Sequence, residues 1–366
     1  MANNFFEKPF DEGTISKLNL FNNYLYEWLP VFVQKAYPKK IKIFDFFAGA
    51  GSDSIGQKGS PLKIINAVIT QIPAIIEKKL EVTIYLNEFN KKHYERLKMT
   101  IEEMKLEKKP FKIIIENKDF NLIYNEWRPL MNDSANLIWL DQFGVKFINE
   151  KIFSQLVNTP LTDILFFISS NIFKRFTEED SIYEILKISK EEIQDLPHHH
   201  IHRFVAEKYK SIAQKQFNSY QIGSFSIQKG KSQNIYGLIF GSRHLLGMEK
   251  FLTTCWNQDQ ETGEANFDID DDKINRAAPK LFEEMDKPKK LSLFENELES
   301  EILKGNLKNE NEIYIFSITK GFLVRHIQPV IKKLIEQKKI EKDRFGFTYG
   351  TLSDSSRAIK NIKLIK

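Results

Sequence analysis

Five hydrophobic segments with strand-like composition alternate with helix-like segments between residues 41 and 169. The predicted strands span residues 41–46, 82–86, 111–115, 136–140 and 163–169. Strands that are separated by helices pair in parallel, and the sheet then needs a helical layer on both faces. The alternation therefore predicts an α/β fold built on a parallel sheet.

A second pattern follows this alternation. Residues 171–220 have helical periodicity, which predicts a helical insertion. Two alternating segments, 224–227 and 234–240, are joined by Gln-Lys-Gly-Lys-Ser, which is a hairpin signal. The sheet is therefore expected to contain five parallel strands and an antiparallel hairpin, within a domain that spans residues 41–285.

The first 40 residues are predicted to form a helical extension that precedes this domain. Five apolar residues recur at helical spacing, and Pro30 and Pro38 are expected to close the segment. These apolar residues are Leu18, Phe21, Leu25, Trp28 and Leu29.

Residues 290–366 are predicted to form a separate basic domain. Helix-like segments at 294–303 and 327–335 flank an apolar stretch at 313–319, and a short hairpin is expected at 340–342 and 344–349. This order is a winged-helix outline, and the alternative is a small helical cap with a lysine-rich surface. Residues 320–366 carry twelve Lys/Arg against four Asp/Glu, although the whole chain has a formal charge of only +5. Such a local excess predicts contact with a polyanion.

Composition excludes several classes of protein. Lysines interrupt every apolar run before it reaches the roughly 18 residues of a membrane helix. The N-terminus lacks the basic and apolar regions of a secretion signal, and a single cysteine, Cys255, excludes an internal disulfide. We therefore expect a soluble cytoplasmic protein with no membrane partner, in which Cys255 is an inert, packed thiol.

The sharpest motif lies at the end of the first predicted strand. The strand presents Asp45 and then a turn almost without side chains, which lets a ligand approach the main chain closely. A carboxylate at the strand end can hold an amine or a ribose. We interpret the turn as a ligand-binding loop that contains Phe47, Ala48, Gly49 and Gly51.

Acids also follow the next two strands. Glu88 ends the second strand, where it can accept both hydroxyls of a ribose, and Asp119 follows the third, where it can accept a hydrogen bond from an exocyclic amine. Glu88 taken alone is better explained as a surface acid at a strand end. Acids at the ends of three consecutive strands favour a common site.

The fourth strand ends at Asp141, which is followed by Gln142, Phe143 and Gly144. A carboxylate or amide acceptor beside an aromatic ring suits a site that binds a target amine and stacks on its base. The alternative interpretation makes Asp141 a helix cap.

Together these residues resemble the class I S-adenosylmethionine-dependent methyltransferases, and more closely the three-Cys-motif partner proteins. The resemblance extends over most of the chain. It rests on segments at residues 5–6, 28–30, 45–51, 59–62, 87–88, 141–144 and 235–240, and on His244, Gly247 and Met248.

The resemblance implies a Rossmann-type methyltransferase sheet and S-adenosylmethionine as cofactor. It assigns Asp45, Gly49 and Gly51 to the methionine end, Glu88 to the ribose and Asp119 to the adenine. The catalytic residues would be Asp141, Gln142 and Phe143, and no metal is required. Nucleic acid is the expected substrate, through an exocyclic base amine, and a three-Cys-motif protein is a further expected partner. The basic residues expected to contact nucleic acid are Lys332, Lys333, Lys338, Lys339 and Arg344.

One departure from the family pattern leaves a second function open. Gln142 stands where these methyltransferases carry proline. The alternative is a catalytically degenerate subunit that binds nucleic acid and recruits a three-Cys-motif partner. A nicotinamide-dependent oxidoreductase is a weaker alternative, since the glycine turn lacks the third glycine of the dinucleotide fingerprint.

Four clustered histidines, His198 to His200 and His202, raise the question of a metal site. Adjacent side chains on a helix diverge, and no cysteine or acid nearby completes a ligand set. We therefore expect these histidines to face solvent.

Overall fold

The structure is a computed structural model that describes residues 5–142, 144–176, 179–230, 234–274 and 287–365. The chain forms two compact units, residues 1–243 and residues 244–366. The segment after the last strand therefore belongs to the C-terminal unit, whereas the sequence prediction put the boundary between residues 285 and 290.

The first unit is built on a seven-stranded sheet with the order β3-β2-β1-β4-β5-β7-β6. Strands β1 to β5 are parallel, and β7 runs antiparallel to both β5 and β6. This arrangement confirms the predicted Rossmann-type methyltransferase sheet. The strands are β1 (Lys40–Asp45), β2 (Glu81–Asn87), β3 (Phe111–Glu116), β4 (Ala135–Leu140), β5 (Thr162–Ile168), β6 (Gln221–Gln228) and β7 (Ile235–Ser242).

The strand order reverses between β1 and β4, because the chain runs outward from β1 through β2 and β3 and then returns to β4 on the other side. Every residue of β4 is buried, as expected for a central strand that is covered on both faces. A crevice opens where strand order reverses, outside the carboxyl ends of the strands. The fold therefore predicts a ligand site beside the ends of β1 and β4.

Ten helices accompany the sheet among the residues that the structure describes in this unit. They are α1 (Glu12–Lys35), α2 (Ser60–Thr70), α3 (Ile72–Glu77), α4 (Lys91–Glu103), α5 (Phe120–Trp127), α6 (Glu150–Val157), α7 (Asn171–Arg175), α8 (Asp180–Leu186), α9 (Lys190–Ile193) and α10 (Ile201–Gln216). A short 3₁₀ helix, Phe5–Glu7, precedes α1, and the predicted insertion at 171–220 is helical.

Two helix boundaries differ from the prediction because proline acts differently at each. Helix α1 continues through Pro30 to Lys35, so the prediction that Pro30 closes the helix is wrong. Ser60 followed by Pro61 predicts a single helix over residues 60–79, but the structure divides this segment at Gln71, and Pro73 lies in the first turn of α3, where proline is tolerated.

Helix α1 is part of the sheet domain and is not a separate extension. Phe21 stacks on Trp139 of β4 with ring centroids 4.2 Å apart, and Tyr24 packs edge-on against Phe240 of β7. All five predicted apolar positions of this helix are buried. The helix therefore completes the core and brings its N-terminal half towards the ends of the central strands.

The histidine prediction is wrong for His202, which is fully buried. Its Nδ1 lies 2.7 Å from the Ser170 hydroxyl and its Nε2 lies 3.0 Å from the Leu238 carbonyl. Gly237 leaves room for the ring, since a Cβ there would lie 2.1 Å from Nε2. His202 therefore packs within the core. Across the described ranges, no group of three His, Cys, Asp or Glu side chains could hold a metal ion.

The C-terminal unit contains α11 (Leu245–Gln258), α12 (Lys289–Leu303), α13 (Glu310–Thr319), α14 (Val324–Glu336) and α15 (Tyr349–Ser353). Helix α11 buries Cys255, as predicted, and burial raises the pKa of this thiol well above its usual range. In the part of the chain that the structure describes, no helix is long and apolar enough to cross a membrane.

The hairpin predicted at 340–349 is wrong. Ile340 forms a bridge with Leu364, and Asn309 forms one with Asn361. Backbone bonds from Glu341 to Lys363 and from Ile362 to Lys308 extend these pairings. The returning C-terminal segment therefore lies between residues 308–310 and 339–341, and residues 342–359 form the connection.

Candidate active site

Asp45 is the last residue of β1 and is fully buried at the carboxyl edge of the sheet. Its Oδ1 accepts a hydrogen bond from the Phe47 amide at 3.2 Å, and its Oδ2 has no hydrogen-bond partner among the described residues. Burial raises the pKa of Asp45 to about 7, and the negative charges of Asp141 and Glu88 contribute to this rise. The Ser60 hydroxyl and the Phe47 amide act in the opposite direction and lower the pKa. The carboxyl group is thus held ready for a cationic or hydrogen-bond-donating ligand group.

The turn after Asp45 contains two glycines in a left-handed backbone conformation. Gly49 and Gly51 adopt φ values of 65° and 88°, which side chains rarely tolerate. Ala48 is buried and donates its amide to the Asn87 carbonyl at 2.9 Å, so the turn is fixed to the end of β2.

Glu88 follows β2 and makes a direct contact with this turn. Its Oε2 accepts a hydrogen bond from the Gly49 amide at 2.8 Å, and its Oε1 accepts one from the Asn90 amide at 2.7 Å. The acid predicted to hold a ribose therefore lies at the turn, where it also orders the glycine backbone.

Asp119 occupies the N-cap of α5, where its Oδ1 accepts from the Asn121 amide at 2.8 Å. The next residue, Phe120, stacks on Phe47 with ring centroids 5.3 Å apart, and both rings contact Phe147. This aromatic cluster of Phe47, Phe120 and Phe147 lies beside the turn, and the sequence did not predict it. Phe120 is buried, and the half-buried rings of Phe47 and Phe147 offer apolar surface of the kind on which a base can stack.

Asp141 follows β4 and is paired with a lysine that no sequence motif indicates. Lys17 Nζ of α1 donates to both carboxylate oxygens, at 2.7 and 2.6 Å. The two residues are 124 positions apart, and no local pattern connects them. The helix-cap alternative for Asp141 is not what the structure shows, since this carboxylate meets a side chain of α1.

Gln142, the residue that replaces proline, is 1% exposed. Its Oε1 accepts a hydrogen bond from the Phe147 amide at 2.9 Å, which closes the loop after β4. Its Nε2 is buried with no partner among the described residues. The third predicted catalytic residue, Phe143, lies outside the described residues.

A segment before α1, residues 6–11, covers the glycine turn. The ring of Phe6 lies so close to Gly49 that a Cβ there would be 2.1 Å from Cζ. Arg96 of α4 donates to the Phe6 carbonyl at 3.2 Å and also to the loop at Ser52 and Asp53. Phe6 belongs to the N-terminal pair on which the family resemblance partly rests, but the sequence does not indicate that its ring meets Gly49.

The loop between Gly51 and α2, residues 52–59, helps to hold this segment. Ser52 and Lys58 form an antiparallel bridge, and Gly59 donates to the Gly51 carbonyl at 2.7 Å. Asp53, buried at the loop, accepts from the Phe10 amide at 2.8 Å. The loop is therefore a platform that connects the N-terminal segment to the glycine turn.

The five basic residues predicted to contact nucleic acid differ in their surroundings. Lys333 and Lys339 both pair with Glu299, at 2.7 and 2.9 Å, and Lys332 lies 3.8 Å from Glu336. The remaining two, Lys338 and Arg344, are exposed, and their side chains form no ion pair with any described residue.

No protein-family profile and no curated protein matches the chain, so the resemblance to three-Cys-motif partner proteins gains no support from them. Among solved structures, spermidine synthase from Thermotoga maritima matches at 12% identity and a TM-score of 0.33, over 71% of this chain and 67% of that chain.

Two further solved structures are similar at the same level. TrmK of M. capricolum, in complex with S-adenosyl-homocysteine, matches at 13% identity and a TM-score of 0.26, over 84% of this chain and 97% of that chain. TYW2 of P. horikoshii, in complex with MeSAdo, matches at 12% identity and a TM-score of 0.29, over 64% of this chain and 63% of that chain. Likenesses this weak carry no conclusion about this chain, and its fold class rests on its own strand order.

Proposed function

We propose that this chain is an S-adenosylmethionine-dependent methyltransferase. The proposal rests on the position of three acids, Asp45, Glu88 and Asp141. They lie near one another beside the glycine turn, at the point where the strand order reverses. The antiparallel β7 beside β5 is the second feature expected of this class of enzyme.

The residues present fit this cofactor. The free Oδ2 of Asp45 suits the α-ammonium group of the methionine end, and Gly49 and Gly51 let the backbone approach it. Glu88 would accept the ribose hydroxyls, and Asp119 would accept from the adenine amine with the oxygen that does not cap α5. When bound, the cofactor supplies an activated methyl group on a sulfonium.

The proposed substrate is a nucleic acid, methylated on an exocyclic base amine. Asp141 lies at the end of β4, where a carboxylate would accept a hydrogen bond from the target amine, and Phe143 would stack on the base. The charge of residues 320–366, which carry twelve Lys/Arg against four Asp/Glu, supports this class of substrate, because such a local excess attracts a polyanion.

The test measures binding and transfer in the full chain. Calorimetric titration with S-adenosylmethionine is expected to give micromolar affinity. Incubation with total RNA and with DNA, followed by nucleoside mass spectrometry, is expected to show an N-methylated base. Asp141→Ala is expected to bind the cofactor but to transfer no methyl group. Transfer that survives this substitution would remove Asp141 from the catalytic role.

Basic residues of the C-terminal unit give a second test. The double variant Lys338→Ala and Arg344→Ala is expected to weaken binding to a duplex and to reduce the slope of log affinity against log salt by about 0.9 per lost phosphate contact. Lys304→Ala, an exposed lysine of the same unit, is the control. An unchanged salt slope in the double variant would exclude both residues from the interface.

A non-catalytic subunit that recruits a three-Cys-motif partner is the second candidate. Two contacts favour it, because the Phe6 ring covers Gly49 and Lys17 engages both oxygens of Asp141. Under this hypothesis the N-terminal segment permanently fills the cofactor site.

Phe6→Ala separates the two candidates. If the segment is displaced when the cofactor binds, removal of the ring is expected to tighten binding by roughly tenfold, since less protein is held in the covered state. Phe89→Ala, which removes an exposed ring near Glu88, is the control. Failure of both wild type and Phe6→Ala to bind the cofactor, in folded protein, would favour the non-catalytic subunit.

A further inference from the structure

Lys17 is a lysine in a position where an apolar residue would be expected. It lies on the inward face of α1, where Thr14 and Leu18 are also buried, and its side chain is only 8% exposed. Lysine is almost never buried unless its charge is paired. Its position therefore needs a partner that compensates for the lost hydration.

That partner is Asp141. Nζ lies within 2.7 Å of both carboxylate oxygens and 4.5 Å from the centroid of the Phe167 ring. Phe167 belongs to β5, the strand beside β4. The ammonium group is therefore fixed by groups at the ends of two central strands, next to the position proposed for the target amine.

From these contacts we infer that Lys17 is a positioning residue that holds Asp141 as a fixed hydrogen-bond acceptor for the target amine. The inference rests on the proposed function and deepens it, because it assigns a residue outside the sequence motif to the same site. A carboxylate has about four lone-pair positions, so two bonds to one ammonium leave others for the substrate.

The contact geometry suits an amine. A carboxylate that accepts two hydrogen bonds from an ammonium group still has lone pairs that can orient an N–H group. The amine nitrogen then forms the bond to the methyl carbon as the carbon–sulfur bond breaks, and the electron pair of that bond remains on sulfur. The surplus proton leaves the methylated nitrogen afterwards, to Asp141 or to water.

The experiment compares Lys17→Met and Lys17→Arg with wild type in the full chain. Lys17→Met is expected to lower kcat by about 100-fold, which is the scale of a lost acid–base or orienting group. KM and Kd for S-adenosylmethionine are expected to stay within about threefold, because Lys17 faces the target side of the site. Lys17→Arg is expected to retain most of the activity, since guanidinium binds a carboxylate through two bonds.

Lys42→Met is the matched control. Lys42 is also largely buried, with 12% of its side chain exposed, and it pairs with Asp133 at 3.1 Å. It lies on β1, away from the carboxyl edge. The control is therefore expected to lose stability without the fall in kcat.

Three results would overturn the inference. The first is a kcat for Lys17→Met no lower than that of Lys42→Met. The second is an equal loss in Lys17→Met and Lys17→Arg. Absence of cofactor binding by the folded wild type would overturn the proposed function and this inference together, whereas either of the first two results leaves the methyltransferase proposal standing. If Lys17→Met does not fold, Lys17→Gln replaces it as a variant with a neutral donor at the same position. A kcat for Lys17→Gln that is no lower than that of Lys42→Met would then overturn the inference.

Discussion

Asp45→Asn is expected to stabilise the protein at pH 8 and, at the same time, to weaken its binding of S-adenosylmethionine. The reason is the buried carboxyl group, whose pKa is raised from 3.8 to about 7 by desolvation. One pKa unit corresponds to about 1.4 kcal/mol, so the ionised carboxylate disfavours folding by about 4 kcal/mol. Asparagine fills the same space without this charge.

Because the pKa of Asp45 is raised in the folded protein, the carboxylate destabilises the fold only above a certain pH. The folded form binds the proton more tightly than the unfolded form, so the penalty grows as pH rises from about 4 to 7 and is constant above that. Urea unfolding at pH 8 is therefore expected to show a gain of up to about 4 kcal/mol in Asp45→Asn, and unfolding at pH 4 is expected to show almost none.

The Asp45→Asn substitution is also expected to weaken the binding of S-adenosylmethionine. Loss of a charged hydrogen bond to the methionine ammonium would weaken binding by roughly 10- to 100-fold. The control is Asp163→Asn, because Asp163 is also buried, with its pKa raised to about 6 by desolvation, but lies near the amino end of β5. It should change the pH dependence of stability and leave cofactor affinity alone. If Asp45→Asn binds the cofactor as tightly as wild type, Asp45 does not contact the ammonium.

Glu88→Ala is expected to lower the affinity for S-adenosylmethionine by about 100-fold or more. A carboxylate that accepts hydrogen bonds from two ribose hydroxyls contributes more than a neutral acceptor, at roughly 1.5 to 3 kcal/mol for each bond. The same substitution removes the acceptor for the Gly49 and Asn90 amides, so the glycine turn also loses its order. Both effects act in the same direction.

Glu81→Ala is the matched control for this prediction. Glu81 is an exposed acid at the opposite end of the same strand, β2, and it lies far from the carboxyl edge. Calorimetry should find wild-type affinity in Glu81→Ala and little or no binding in Glu88→Ala. Equal affinities in the two variants would mean that Glu88 only supports the turn and that the ribose lies elsewhere.

Local pattern was sufficient to predict the sheet and the acids at its edge. The period of the hydrophobic residues identifies each strand, and the carboxyl ends of parallel strands lie at one edge whatever their order. Asp45, Glu88, Asp119 and Asp141 could therefore be assigned to one edge from the sequence. Their partners could not be assigned in the same way, and Glu88 bonds to a backbone amide that no pattern marks.

The errors share a physical cause. Pro30 signals the end of a helix, but core packing of α1 carries the helix past it. His202 reads as a surface residue, but a glycine on β7 leaves a cavity that its ring fills. In the C-terminal unit, nearby strand-like segments predicted a hairpin, whereas Ile340 pairs with a segment more distant along the chain.

The α/β class, the strand at which each acid lies and the position of the glycine turn follow from local sequence, because they depend on residues close together in the chain. The contacts of Lys17 with Asp141 and of Phe6 with Gly49 form only when distant parts of the chain pack together. Those contacts depend on how α1 packs across the sheet, and that packing is set by the shape of the whole core. Periodicity predicts which face of a helix is buried, but it does not predict which charged residue that face will contact.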